Sequence, residues 1–171
     1  MTKELTIAVV GATGAVGQEI LKVMEERKIP YKELRLLASA RSAGTEIEYQ
    51  GKTYVVQETT ENSFDDVDLA LFAGGPASRA YGRLAQSKGC VVIDNSSTFR
   101  LEVPLVVPEV NPEALKDHKG LIANPNCSTI LLVSALYPLY KKSKVKRVIV
   151  STYQAVSGAG KEAIDELTLQ V

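Results

Sequence analysis

Cys127 stands in the segment NPNCST, between a short apolar run that predicts a strand and a longer apolar run that predicts a helix. A thiol at the start of a helix is a candidate nucleophile, because the helix dipole stabilises the thiolate. Asn126 is placed to donate a hydrogen bond to an oxyanion. An inert, buried thiol is the commoner state of a free cysteine. Cys90, at the start of the apolar run CVVID, fits that description, whereas the polar neighbours of Cys127 favour a reactive thiol.

Two further segments carry polar side chains suited to an acyl or phosphoryl group. Arg100 ends DNSSTFR, and its guanidinium could hold a phosphate or carboxylate through paired N–H groups, although a surface salt bridge is an equally plausible role. Gln154, in TYQAVSGAGK, is a neutral amide that could orient an acyl group or a water. The small turn through Ser157 and Gly158 lets backbone lie close to a ligand.

A glycine-rich loop follows the first predicted strand. Gly11, Gly14 and Gly17 lie in VVGATGAVGQEI with the spacing G-x-x-G-x-x-G, between that strand and the first predicted helix. Such a loop lets the backbone approach a pyrophosphate, and the helix N-terminus supplies amide donors. Glycines needed only for a tight turn are the alternative. The strand–loop–helix context favours a dinucleotide site.

The end of the second predicted strand indicates which dinucleotide binds. An NAD site usually carries an acidic residue there for the ribose hydroxyls. Here the segment reads LLASARSAGTEI, and no acid appears before Glu46. Ser39, Arg41 and Ser42 suit a 2′-phosphate, so we predict NADP rather than NAD. An ordinary solvated role for Arg41 is the alternative.

The elements that must position these residues alternate between strand and helix. Apolar runs predict strands in LTIAVV, ELRLLAS, VDLALFAGG, CVVIDNSS and GLIANPN, and helical periodicity follows at AVGQEILKVMEERK, from Pro76 to about Lys88, and in CSTILLVSALYPLY. A hairpin is predicted to turn at Gln50-Gly51. KVKRVIVSTYQAV predicts a long strand, with a helix from about Lys161. This pattern predicts an α/β fold with a Rossmann-like, doubly wound parallel sheet.

Composition excludes several classes of protein. The chain has 171 residues, is 45% hydrophobic, and balances 20 basic against 20 acidic residues. Neutrality gives no basis for binding nucleic acid or an anionic membrane surface, and no apolar run reaches membrane-spanning length. Two cysteines form no disulfide framework, and the first residues enter a strand too early for a secretory leader. We therefore expect a cytoplasmic protein with reduced thiols.

Five motifs in this order, GATGAVG, ASARSAG, DNSSTFR, NPNCST and YQAVSGAGK, resemble aspartate-β-semialdehyde dehydrogenase of the bacterial type over essentially the whole chain. The resemblance implies a reversible NADP-dependent reaction. L-4-aspartyl phosphate is reduced to L-aspartate 4-semialdehyde, with release of phosphate, in lysine, methionine and threonine biosynthesis.

The same resemblance implies residue roles. Cys127 would form the acyl-enzyme thioester, Gln154 would position that intermediate, Arg100 would bind phosphate or the acyl phosphate, and Asn126 would stabilise the oxyanion. The cofactor would be held by a further set, namely Gly11, Thr13, Gly14, Ala15, Val16, Ser39, Arg41, Ser42, Ser157 and Gly158. No metal is implied.

The sequence departs from the family in what it lacks. The mechanism needs a general base, and the one histidine, His118, lies in the charged segment EALKDHKGL. The resemblance places the catalytic histidine and a substrate-binding arginine and glutamate beyond Val171. We therefore expect an NADP-binding domain over 1–127 and, over 128–171, an incomplete start of the α+β substrate and dimerisation domain. The whole protein would be a homodimer, and this chain alone would be inactive.

Three alternatives to this assignment are kept. One is an enzyme resembling N-acetyl-glutamyl-phosphate reductase, which shares the fold and the thioester chemistry. Another is a non-catalytic module that only binds NADP, which would not need an activated thiol. The third is a shortened chain that acts only when assembled with a missing half.

Overall fold

The computed structural model describes residues 4–171 and divides them into two compact units, one extending to Asn126 and the other spanning Cys127–Val171. The boundary predicted from the sequence, after residue 127, lies beside this division. Residues 1–3 lie outside the described part.

The first unit is a parallel sheet with helices between its strands. Its elements in chain order are β1 (Leu5–Val10), α1 (Ala15–Glu26), β2 (Tyr31–Ala38), β3 (Glu46–Tyr49), β4 (Lys52–Val55), β5 (Gln57–Glu58), β6 (Leu69–Phe72), α2 (Gly75–Ser87), β7 (Val91–Asp94) and β8 (Leu121–Ala123). Six strands form the main sheet in the order β5-β2-β1-β6-β7-β8, and all of its pairs are parallel. The predicted Rossmann-like sheet is confirmed.

Apolar side chains cover both faces of this sheet. On one face Ile7 and Val9 of β1 pack with Leu21 and Met24 of α1, and all four are buried. On the other face Ala8 and Val10 belong to a cluster that also contains Ala85 of α2. Burial on both faces explains why β1 reads as a continuous apolar run rather than as an alternating one.

The predicted hairpin is confirmed, and it stands apart from the main sheet as the antiparallel pair β3–β4. Its two turn residues, Gln50 and Gly51, have φ angles of 50° and 71°. Two consecutive positive φ angles match the tight turns whose twist suits a two-residue hairpin.

The second unit contains α3 (Cys127–Ser143) and α4 (Lys161–Gln170), with a 3₁₀ turn at Val156–Ala159 before α4. Both predicted helices are confirmed. The long strand predicted over 144–156 is wrong, because residues 144–155 have no strand assignment. A strand needs a neighbour to accept its backbone hydrogen bonds, and no strand occurs among the described residues of this unit.

The contact between α1 and the loop after β1 generates a test of stability. A Cβ atom on Gly17 would overlap the carbonyl oxygen of Gly11 and would lie 2.8 Å from the Cα of Ala12. We expect Gly17→Ala to lower the free energy of unfolding by about 1–3 kcal/mol, although alanine is the better helix former. Thermal and urea unfolding of the chain would measure the change.

The matched control is Gly75→Ala, in the first turn of α2. A Cβ atom there would meet nothing closer than 3.8 Å. It should leave stability unchanged or slightly raised. Equal stability of the Gly17→Ala protein and the parent chain would show that the backbone can move away and that the contact is not a constraint.

Candidate active site

A cavity opens where the order of the strands reverses. The chain runs from β1 to its neighbour β2 and later returns to β6 on the other side of β1. At such a point the connections leave in opposite directions, and ligands bind beyond the carboxyl ends of the strands. The cavity has a volume of about 520 Å³ and is lined by Gly11, Thr13, Gly14, Ala38, Ser39, Ala40, Arg41, Ser42, Glu58, Thr59, Ala73, Gly74, Pro76, Ala77 and Tyr81.

The glycine loop forms one wall of this cavity. The amides of Gly11 and Ala12 both donate to the carbonyl of Leu37, at 2.8 and 3.0 Å, so the loop is tied to the end of β2. Gly11 has a φ of 87°, a conformation that favours glycine. Gly14 is the N-cap of α1 and has no side chain to occupy the first amides of that helix. The cavity wall is therefore suited to a phosphate.

The loop after β2 forms another part of the cavity wall. Ser39, Arg41 and Ser42 all line the cavity, on and beside a 3₁₀ turn at Ala40–Ser42. Arg41 is exposed, and its guanidinium makes no ion pair or hydrogen bond with any residue from 4 to 171. A basic side chain without a protein partner is available to an anionic ligand.

Four members of the predicted cofactor set do not line the cavity. Ala15 and Val16 lie in the first turn of α1, and both are exposed. Ser157 and Gly158 belong to the second unit. The structure thus gathers Gly11, Thr13, Gly14, Ser39, Arg41 and Ser42 around one cavity.

Sequence reasoning missed three residues of the cavity wall whose side chains carry polar groups, Glu58, Thr59 and Tyr81. The backbone amide and the hydroxyl of Thr59 both donate to the carbonyl of Ala38, at 2.8 and 3.0 Å, which ties β5 to the end of β2. No motif marks these residues, because the pairing of β5 with β2 brings Glu58 and Thr59 to the cavity, and Tyr81 lies on α2.

Arg100 lies at the carboxyl edge of the same sheet. Its Nε donates to the carbonyl of Asn124 at 3.0 Å, and its Nη2 donates to the carbonyl of Asn95 at 3.2 Å. The residue is half-buried, and it forms no ion pair within the described part of the chain. The salt bridge left open by the sequence is therefore not found there.

A network of hydrogen bonds supports the loop that carries Arg100. Asp94 is fully buried, and its carboxylate accepts bonds from the Ser78 hydroxyl at 2.6 Å and from the Ser96 amide and hydroxyl at 3.0 and 2.9 Å. The Asn124 side chain donates to Asn95 Oδ1 at 2.8 Å. Sequence reasoning assigned no role to Asp94, Asn95 or this asparagine pair.

The two cysteines differ as predicted in exposure. Cys127 is the first residue of α3 and is exposed, whereas Cys90 is 1% exposed. Burial is the main cause that raises the pKa of the Cys90 thiol to about 11. Its thiol also donates to the carbonyl of Val67 at 3.0 Å, a polar partner that the sequence did not reveal.

In the second unit, Gln154 lies against the turn before α4. A Cβ atom on Gly158 would overlap the side-chain amide nitrogen of Gln154, so the two residues are in close contact. The structure thus brings Gln154 next to the Ser157-Gly158 turn. Asn126, also a predicted site residue, is exposed and is the last residue of the first unit.

His118 lies just before β8, so it is at the amino edge of the sheet, whereas Arg100 contacts Asn124 at the carboxyl edge. Its Nδ1 accepts a hydrogen bond from the amide of Gly120 at 3.0 Å. This local bond stabilises the turn into β8 and agrees with the non-catalytic role expected for this residue.

Two other kinds of site are absent from the part of the chain that the structure describes. Over residues 4–171 no helix is both long and apolar enough to cross a membrane. The same residues contain no group of three or more His, Cys, Asp or Glu side chains that could hold a metal ion.

Matches to known protein families cover residues in both units of this chain. Residues 6–118 match the model of the semialdehyde dehydrogenase NAD binding domain, and residues 136–171 match that of the semialdehyde dehydrogenase dimerisation domain. An aspartate-semialdehyde dehydrogenase from Campylobacter jejuni is 56% identical over 98% of this chain and 51% of its own length. The chain spans about half the length of the curated relatives it matches.

Solved structures of aspartate semialdehyde dehydrogenases are also similar to this chain. Aspartate semialdehyde dehydrogenase II from Vibrio cholerae, complexed with ASA, superimposes with a TM-score of 0.92 at 48% identity, over 99% of this chain and 52% of that one. The Candida albicans enzyme with NADP gives a TM-score of 0.65 at 27% identity, over 84% of this chain and 48% of that one. With a family model covering most of the first unit, the chain belongs to the semialdehyde dehydrogenase family.

Proposed function

We propose that this chain is the N-terminal part of an NADP-dependent aspartate-semialdehyde dehydrogenase. The enzyme would reduce L-4-aspartyl phosphate to L-aspartate 4-semialdehyde through a thioester on Cys127. The observation that carries the proposal is the exposed thiol of Cys127 at the start of α3, in a chain 56% identical to a curated enzyme of that name. The relatives' names do not favour the reductase of N-acetyl-glutamyl phosphate or a non-catalytic module.

The residues of the first unit fit NADP. The cavity lies beside the N-terminus of α1, and the absence of a Cβ at Gly17 lets that helix pack closely against the glycine loop. The amides of the loop and of Ala15 and Val16 would hold the pyrophosphate. Arg41, with Ser39 and Ser42, would hold the 2′-phosphate, because its guanidinium has no partner among residues 4–171. Ser157 and Gly158 would approach the nicotinamide end.

Arg100 would bind phosphate or the phosphoryl group of the substrate. A guanidinium has five N–H donors, and two of those on Arg100 are engaged by backbone carbonyls. The others can form paired bonds to an anion. A half-buried positive charge with no ion-pair partner among residues 4–171 supports this role.

The reaction proposed for the whole enzyme has two steps. The Cys127 thiolate would attack the acyl carbon of aspartyl phosphate, and the bond between that carbon and the phosphate oxygen would break. The leaving phosphate would be bound by Arg100. NADPH would supply the hydride that reduces the thioester to a thiohemiacetal, which releases the aldehyde and the thiolate. Asn126 would donate to the oxyanion, and Gln154 would position the acyl group. We assign no general base within this chain.

The remaining proposals concern the whole protein. The first unit would be the NADP-binding domain, and the second would begin the substrate and dimerisation domain, which supports a homodimer. We also propose a cytoplasmic location, which two free thiols support. The small-molecule substrate and phosphate would be its ligands, with no nucleic-acid or membrane partner.

The first test measures activity directly. A full-length protein carrying this sequence should reduce NADP with the semialdehyde and phosphate. Cys127→Ser should lower the rate to below about one part in 10⁴, because the nucleophile is lost. Cys90→Ser should leave the rate nearly unchanged. The 171-residue chain alone should show no measurable turnover.

An active Cys127→Ser enzyme would contradict the assigned nucleophile. Turnover by the isolated chain within about tenfold of the full-length rate would show that it carries its own base, since general acid–base assistance alone is worth about 10²–10⁴.

A second test addresses cofactor choice. Arg41→Ala should weaken NADP binding about 10- to 100-fold and leave NAD binding unchanged, because only NADP offers a 2′-phosphate to the guanidinium. Titration of both cofactors against the full-length protein would measure this change. Arg79→Ala is the control, because Arg79 is an exposed arginine of α2 outside the cavity. An unchanged NADP preference in Arg41→Ala would refute the assignment.

A third test compares the two thiols. With its pKa raised to about 11, Cys90 is a thiolate in fewer than about one molecule in a thousand near pH 7.5, and it is buried as well. We expect iodoacetamide to label Cys127 in the native chain and to label Cys90 only in denaturant. Mass spectrometry of the two peptides gives the rates. Native labelling of Cys90 at the rate of Cys127 would count against a catalytic thiolate.

A further inference from the structure

The carbonyl groups that hold Arg100 belong to two asparagines whose side chains are bonded to each other. Arg100 Nε donates to the Asn124 carbonyl and Nη2 to the Asn95 carbonyl, at 3.0 and 3.2 Å. The Asn124 amide nitrogen donates to Asn95 Oδ1 at 2.8 Å. Three residues therefore close a ring of hydrogen bonds, although Asn124 is 29 residues from Asn95 in the chain.

We propose that the Asn95–Asn124 side-chain pair is a positioning element that orients the Arg100 guanidinium for the substrate's phosphoryl group or for phosphate. This inference rests on the proposed function of Arg100 as the phosphate-binding residue. The pair contacts neither ligand in this proposal. It acts by holding two backbone carbonyls at the separation that the Nε and Nη2 edge of Arg100 requires.

Each asparagine is itself attached to the sheet. The backbone amide and the side-chain amide of Asn95 both donate to the carbonyl of Phe72, at 3.0 and 3.1 Å, which ties the loop to the end of β6. The backbone amide of Asn124 donates to the carbonyl of Asp94 at 2.8 Å, which ties it to the end of β7. The hydrogen bond between the two side chains joins the residue after β7 to the residue after β8.

The charge of Arg100 explains why such a device is useful. A carboxylate would hold the guanidinium firmly, but it would also neutralise it and compete with an anionic ligand. Neutral carbonyls fix the orientation and leave the net charge available. Fixing a side chain before the ligand arrives removes part of the entropy cost of binding.

The buried Asp94 carboxylate strengthens the base of this arrangement. Its bonds to Ser78 on α2 and to Ser96 in the Arg100 loop hold the start of that loop in place. Farther along this loop the Thr98 hydroxyl donates to the Gly75 carbonyl at 3.4 Å and Phe99 packs in the core. The asparagine pair is the bond between side chains that joins the loop to the end of β8. The pair is thus the contact whose removal should free Arg100 without exposing the core.

The test uses the full-length protein in the direction that consumes phosphate. Asn124→Ala should raise the KM for phosphate about fivefold, as expected when one hydrogen bond that supports binding is lost, and should leave the KM for NADP unchanged. Asn95→Ala should raise this KM at least as much, because it also removes the side-chain bond to the Phe72 carbonyl. The double variant should be no worse than Asn95→Ala alone, because the bond between the two side chains is already lost. The second variant keeps the test valid if the first fails to fold.

A matched control separates positioning from general stability. The side-chain amide of Asn111 also forms two hydrogen bonds with the backbone. Its Oδ1 accepts from Val107 N at 2.8 Å, and its Nδ2 donates to Leu105 O at 3.0 Å. It does not contact Arg100. Asn111→Ala should lower thermal stability to a similar extent but leave the KM for phosphate unchanged.

An Arg100→Lys background decides whether the pair acts through Arg100. Lysine lacks the planar fork that takes both carbonyls, so Arg100→Lys should raise the KM for phosphate, and adding Asn124→Ala should raise it no further. A further fivefold rise in that background would overturn the inference, and so would an unchanged KM in Asn124→Ala. An unchanged KM in Arg100→Lys itself would instead overturn the proposed phosphate role of Arg100.

Discussion

The close packing of α1 against the loop after β1 is the contact on which the cavity depends. Gly17 faces the carbonyl of Gly11 with no room for a Cβ atom between them. This distance sets where the first turn of α1 lies relative to the carboxyl end of β1. A displaced helix would carry its amides away from the carboxyl ends of β1 and β6, and the glycine loop would no longer share a cavity with Arg41.

The two basic residues of the proposed site are held in different ways, and the difference suits their ligands. Arg41 is exposed and makes no bond through its guanidinium within the described chain, so it can follow a flexible ribose phosphate. Arg100 is half-buried and held by two carbonyls. A phosphoryl group that must leave during the reaction has to be bound in a defined direction, because misalignment raises the barrier.

Buried polar groups at the carboxyl edge are satisfied by one another. Asp94 is fully buried, yet it accepts three hydrogen bonds, and Ser78 and Ser96 supply them. A buried carboxylate without such partners would be strongly unfavourable. The polar residues that follow β7 thus form a supporting network, and only Arg100 at the end of that loop is left with an uncompensated charge.

The sequence by itself determined the local features of this protein. Periodicity identified the helices and all strands of the first unit except β5, and residue types identified the glycine loop and placed Cys127 at a helix start. Each of these features depends on neighbours in the chain. Tertiary structure decided the contacts between distant segments, such as Thr59 at the cavity and Asn124 with Asn95. It also left residues 144–155 without a strand. The reason is that strand order and pairing depend on partners remote in sequence, which local periodicity does not encode.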